Sequence, residues 1–509
     1  MVKIDGNSLT IDEVVRVSRN FENVELSNDA LPAIERSRVY VEKVLAEKRV
    51  VYGITTGVGE LSNTWIPAED AERMQENLIR SHATSVGDPF SEDVVRGVIL
   101  LRANALAKGF SGIRVSVIEL LLRLLGSRIY PYMPRQGSVG ASGDLSPLAH
   151  LALVLMGEGE CIVDGARTPS IQALQAAGLE PVTLRPKEGL ALINGTQIMS
   201  SLGCLAVDDA ERLLKHAQIA GAMSLEALKG TSRAYDPRIH AVRPHPGQVR
   251  CAANMRRLIE GSEIIASHEN CEKVQDAYTL RCIPQVYGAV MDTIEYAKSV
   301  LLVEINSATD NPLIFADPDE AISGGNFHGE PIAFVLDFLG IAMAEIGNIS
   351  ERTADRLVNP HVSGLPPFLA ENSGLNSGYM IAQYTAAALV SENKILAHPA
   401  SVDSIPTSAG QEDHVSMGPI AGRHAVDIIR NVEQIIAIEM LAAAQGIDFQ
   451  ADLKPGKATG AAWREIRNHI PHLDDDRVIY IDMEKMLGLI RDGTVLKAVE
   501  KVSGRLKLV

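Results

Sequence analysis

PIAFVLDFLGIAMAEIGNISERTADRLV, residues 331–358, repeats apolar side chains at Phe334, Phe338, Ala342, Ile346 and Ile349, the spacing of one face of an α-helix. Pro331 suits a first helical turn and Asn359-Pro360 stops the pattern. At about 1.5 Å per residue such a helix spans roughly 40 Å. Residues 287–308 and 418–444 carry similar periodicity, and helices this long are stabilised by packing in a bundle rather than alone in water. Further out, residues 92–125 read as two helices broken by Gly109-Phe110-Ser111-Gly112, and residues 208–228 as another amphipathic helix. The chain therefore reads as all-α, a long central helix bundle with a smaller, mostly helical N-terminal domain. Pro181, Pro186, Gly189 and Gly195 mark a seam, which predicts domains 1–195 and 196–509, with a C-terminal helical appendage opening at Pro455-Gly456.

Composition narrows the function. With 509 residues, 46% hydrophobic, the chain can bury a large core, and 4% aromatic content suits close helix packing better than a β-sandwich. A net charge of −16 leaves no excess of cations for nucleic acid or an anionic membrane surface. The first fifteen residues, MVKIDGNSLTIDEVV, are charged and lack an apolar run, so a cytoplasmic location is expected. Cys161, Cys204, Cys251, Cys271 and Cys282 are odd in number and widely spaced, which fits neither a disulfide framework nor a zinc ribbon.

Four loops concentrate glycine with polar residues: YGITTGVG (52–59), GSVGASGD (137–144), NGTQ (194–197) and SGGNFH (323–328). Any one of them alone reads as a turn. The second has glycines that could cradle phosphate, but no Lys-Ser/Thr follows and no strand precedes. Around Ser142 the second glycine of a hydrolase elbow is missing, and the histidines, His82, His150, His240, His245 and His414 among them, lack metal-ligand spacing, so no metal is expected. What Ala141-Ser142-Gly143 offers is a bend in which the Gly143 nitrogen can reach the Ala141 carbonyl carbon, because glycine tolerates such geometry. Ring closure and loss of the Ser142 hydroxyl would leave a methylidene-imidazolone, an electrophile with an exposed alkene carbon.

GSVGASGDLSPLAH (137–150), YGITTGVG, NGTQ, VQDAYTLRC (274–282), GGNFHG (324–329) and QEDHVSMG (411–418) together resemble the aromatic amino acid ammonia-lyases, over roughly residues 5–500. The resemblance implies an almost entirely helical homotetramer with each active site shared among three subunits, a methylidene-imidazolone formed from Ala141-Ser142-Gly143, and no external cofactor. It implies Tyr52 as the base near the substrate β-carbon; a phenol titrates near pH 10 in water, so that work needs a favourable setting. Arg281 resembles the clamp on the substrate carboxylate, for which a planar guanidinium is well shaped. Asn194, Gln275 and Tyr278 resemble the polar shell around ring and substrate, where uncharged amides can donate to a developing negative oxygen. Phe327 resembles the aromatic wall beside the ring. Without the family, Tyr52 and Phe327 would read as core and Arg281 as a surface ion pair.

Ser81-His82 in RSHATSVG (80–87) and Glu412 in QEDH resemble the histidine-using branch, where phenylalanine and tyrosine enzymes carry Phe-Leu or His-Leu and Asn-Gln-Asp. A carboxylate facing a benzene ring would be an uncompensated buried charge, whereas an imidazole N–H gives it a partner. The implied activity is elimination of ammonia from L-histidine, giving trans-urocanate, with His82 and Glu412 choosing the side chain. Ala277 stands where many histidine lyases carry proline, and the same scaffold supports tyrosine ammonia-lyases and 2,3-aminomutases, so those alternatives stay open. So does a non-catalytic helical scaffold.

Overall fold

Four helices carry much of the chain: Gln197–Ala227, Ile283–Glu304, Glu330–Val358 and Gly418–Asp448, of 31, 22, 29 and 31 residues. The computed structural model describes residues 1–268, 274–450 and 452–508. Cys271 lies outside the described residues, and the other four cysteines are free thiols. Among the described residues the strands are short and pair in sheets of two or three. One hairpin pairs Glu160–Val163 with Ala166–Pro169 across Asp164-Gly165, whose φ angles of 48° and 79° make the left-handed turn that suits strand twist. The helical reading of the sequence holds.

Two compact units form, one from Met1–Asp208, Ala297–Asp337 and Pro399–Arg423, the other from Asp209–Tyr296, Phe338–His398 and His424–Val509. Each of the four long helices supplies residues to both. Residue 195 lies inside the first segment of the first unit.

In the first unit, Glu92–Ala107 is buried on all sides from Val94 to Ala107, which is how a core helix differs from a surface one. It ends at Gly109 and Gly112, with φ of +82° and +66°, before Val115–Gly126 begins. The helix expected from residue 208 in fact starts at Gln197, because the Asp144 side chain caps it: Oδ2 accepts from the Ile198 and Met199 amides at 2.8 and 3.3 Å. The second unit buries Glu439 between the hydroxyls of Ser224 and Ser350, at 2.9 and 2.6 Å.

Glu330–Val358 starts and stops as expected, and of the five apolar positions read from its sequence Ala342, Ile346 and Ile349 are buried. Phe334 and Phe338 are 44% and 42% exposed in the single chain, while Ile332, Val335, Leu336, Leu339, Met343 and Ile346 are buried. Apolar residues occur around most of this helix, so periodicity alone could not choose the buried side. By length and composition the helix could cross a membrane, but 67% of its most apolar window is buried within the protein, as in a core helix.

Candidate active site

Residues 140–144 are held by backbone on backbone. Gly143 has φ +73°, and a Cβ there would stand 2.1 Å from the Gly195 carbonyl oxygen; at Gly140, also φ +73°, it would stand 2.2 Å from Ser416 Oγ. Asp144 N–H donates to Gly195 O at 2.7 Å, and Gly195 N–H donates to Ser142 O at 3.2 Å. Ser138 Oγ accepts from Gly140 N–H at 3.1 Å and donates to Gly143 O at 3.3 Å. Ala141 packs with Val415 and Met417. The tripeptide is thus bent, pinned on both flanks and free of any Cβ at 143, and its middle carbonyl already meets an N–H donor. That cradle fits a ring closed between residues 141 and 143.

Around it lies a pocket of about 670 Å³ whose lining includes Tyr52, His82, Ala141, Ser142, Asn194, Phe327 and Glu412. Seven residues read from widely separated motifs therefore meet in one cavity of the first unit. Ser142 Oγ donates to Glu412 Oε1 at 3.5 Å, and Thr407 Oγ1 donates to Glu412 Oε2 at 2.6 Å, which fixes the carboxylate's direction. Tyr52 Oη accepts from Gly59 N–H at 3.1 Å. His82 closes the helix Ala71–His82; burial pushes its imidazole below the ordinary value, while the Leu78 backbone and the Glu412 charge favour the protonated form.

Beneath the pocket is a network the sequence reading missed. Asn194 Nδ2 donates to Asp310 Oδ1 and to Asn311 O, both at 3.1 Å. Those two bonds use both of its amide hydrogens, so Asn194 keeps only its buried, unpartnered Oδ1 to offer, an acceptor and not a donor. The donor that meets Ser142 O is the Gly195 amide instead. Asp310 Oδ2 accepts from Lys187 Nζ at 2.7 Å, with the two side chains 1% and 0% exposed. Arg102, fully buried, donates from Nη1 to Asn194 O at 2.6 Å. Burial lifts Asp144 to about 7 despite the two helix amides it accepts from. Arg102 had a signal in the sequence, as the one charge in the apolar run VILLRANALA (98–107).

Gln275, Tyr278 and Arg281 belong to the second unit and line no part of this pocket. Gln275 is exposed, Tyr278 is 70% exposed, and the Arg281 guanidinium lies 4.6 Å from the centre of the Tyr278 ring. Among the described residues, His328, Glu330 and His414 bring ligand-type atoms within 4.8 Å of one another. However, His328 Nδ1 accepts from Glu330 N–H at 3.3 Å and its Nε2 faces His414 O at 3.4 Å, which leaves a neutral ring no lone pair for an ion.

The family profile for aromatic amino acid lyase matches residues 9–468. The histidine ammonia-lyase of Alkaliphilus oremlandii is 55% identical over 500 residues, covering 98% of each chain. The crystal structure of histidine ammonia-lyase from Trypanosoma cruzi superposes with a TM-score of 0.92 at 45% identity, over 98% of this chain and 95% of that one. Tyrosine aminomutase from Streptomyces globisporus superposes with a TM-score of 0.94 at 39% identity, over 99% and 100%. With a pocket built around Ala141-Ser142-Gly143 and a match across nearly its whole length, this chain belongs to the aromatic amino acid lyase family.

Proposed function

We propose that the chain eliminates ammonia from L-histidine to give trans-urocanate, using a methylidene-imidazolone made from its own Ala141-Ser142-Gly143. The observation that carries the reading is Glu412, a carboxylate aimed by Thr407 into the pocket that holds Ser142 and His82. In forming the ring, the Gly143 nitrogen bonds to the Ala141 carbonyl carbon. The Ala141 oxygen leaves as water with the amide hydrogens of Ser142 and Gly143, and Ser142 Oγ–H leaves as a second water with the Ser142 Cα hydrogen. The group supplies an electrophilic carbon that makes the substrate amine a leaving group.

The chain's own residues do the rest. Glu412 accepts the substrate's imidazole N–H, and a neutral His82 lines the same side without placing a second cation there. Phe327 walls the ring, Asn194 lines the pocket beside it, and Tyr52 removes the β-proton from a side chain held still. Gln275, Tyr278 and Arg281 complete the site from other copies of the chain in a homotetramer, Arg281 on the substrate carboxylate. Support for that assembly comes from their place outside the pocket together with the exposed aromatic face at Phe334 and Phe338.

Intact mass and peptide mapping test the reading: wild type lacks two waters at residues 141–143, Ser142→Ala lacks neither, and only wild type releases ammonia and urocanate from L-histidine. An uncyclised tripeptide in the wild type sinks it in favour of a non-catalytic scaffold. The fold likeness to tyrosine aminomutase favours a second reading, a tyrosine lyase or mutase. Separate incubations with L-tyrosine and L-phenylalanine, followed for the conjugated acid and the β-amino acid, decide between the two.

A further inference from the structure

We propose that Arg102 is a positioning residue that polarises the Asn194–Gly195 peptide, and through the Gly195 N–H on Ser142 O sets the reactivity of the ring formed at residues 141–143. The proposal rests on the cofactor reading above. Arg102 sits in the middle of Glu92–Ala107 with 0% exposure. Its Nη1 donates to Asn194 O at 2.6 Å, while Nε and Nη2 have no hydrogen-bond partner among the described residues. Burying a guanidinium for one hydrogen bond is costly, and an apolar side chain of similar volume would pack the same space more cheaply. Burial lowers Arg102 to about 10, with the Asp310 and Asp144 carboxylates opposing that shift, so the group stays charged near neutral pH.

What that charge does follows from the peptide it touches. Asn194 O and Gly195 N belong to one amide. A cation on the oxygen draws electron density from the nitrogen and makes its N–H a stronger donor. That N–H meets Ser142 O at 3.2 Å, the oxygen where negative charge collects when a nucleophile adds to a ring closed here. The peptide cannot turn away. Asn194 is fixed through its amide to Asp310 and Asn311, and Gly195 has φ +143° with Thr309 O only 2.7 Å from where a Cβ would be.

The experiment compares wild type, R102Q and R102K as folded proteins. Intact mass reports ring formation, absorbance follows addition of hydroxylamine, a neutral nucleophile, to the ring, and isotope-edited infrared of a ¹³C-labelled Ser142 carbonyl reports polarisation. Matured R102Q is expected to add hydroxylamine about 10- to 100-fold more slowly than wild type, with the carbonyl stretch moved to higher frequency. A matured R102Q that reacts at the wild-type rate overturns the proposal, because loss of packing alone moves neither reading. R102K keeps a cation and is expected to react nearer the wild-type rate than R102Q. Where R102Q does not fold or does not lose two waters, wild type itself carries the decision: a ¹³C-labelled Asn194 carbonyl that absorbs below an ordinary amide supports the proposal, and an ordinary amide frequency overturns it. Wild type that retains both waters instead defeats the cofactor reading itself.

Discussion

Two buried carboxylates, Asp310 in the first unit and Glu439 in the second, are held in opposite ways. Under the pocket, Asp310 accepts from Lys187 Nζ, Asn194 Nδ2 and the Asn311 amide at 2.7, 3.1 and 2.7 Å. In the helices of the second unit, Glu439 is equally buried and accepts from the hydroxyls of Ser224 and Ser350, and burial lifts it to about 7. A carboxylate that accepts from a buried ammonium and two amides fixes what it touches. A carboxyl answered by hydroxyls is merely satisfied, and trades its charge for a proton.

Lys187→Met attacks the first arrangement and is expected to have the largest effect, because Asp310 would be left buried and unpaired. Denaturant unfolding should register a loss of about 3–5 kcal/mol, and an unchanged midpoint would erase the contrast. Glu412 sharpens the comparison, since it lies in the first unit but is held, like Glu439, by a hydroxyl. If catalysis needs its charge, Glu412→Gln folds normally and loses about 2–4 kcal/mol of transition-state stabilisation, roughly 30- to 1000-fold in kcat/KM on L-histidine. Full retained activity would move the substrate assignment to tyrosine.

Glu439→Gln should be the mildest. The folded-state value of Glu439 is raised by burial, so its stabilisation is complete below the unfolded value of 4.5 and is lost as pH rises through about 7. Thermal unfolding of the variant should match wild type near pH 5 and exceed it by about 1–2 kcal/mol near pH 8, since the serine hydroxyls can turn to accept from the new amide. A variant that is less stable at both pH values would show that Glu439 is held as a charge after all.

The long helices and the central cavity were legible because their signals are local: 3.6-residue periodicity, and short motifs rich in glycine and polar groups. Tyr52, His82, Ser142, Asn194, Phe327 and Glu412 line one pocket, as their motifs suggested. The rest depended on contacts distant in the chain. The helix start at Gln197 is fixed by Asp144, 54 residues before Ile198, while the neighbouring Thr196 turns its hydroxyl to Glu304 instead of capping. Lys187 finds Asp310 across 123 residues, so neither reads as part of a site. Asn194 was legible as a site residue, but its hydrogen-bond partners Asp310 and Asn311 were not, because they lie 116 and 117 residues away. Gln275, Tyr278 and Arg281 line no part of that pocket, and their side-chain types alone do not place them.

The hydrogen bond between Ser142 and Glu412 joins residues 270 positions apart. During synthesis at about 5–20 residues per second, the tripeptide leaves the ribosome roughly 15–50 s before Glu412 exists. Until Ser416 and Met417 arrive, the flank at Gly140 also lacks its support. The contacts that hold residues 138–144 are therefore complete only once residue 417 has been made, and a chain released before then carries the tripeptide without them.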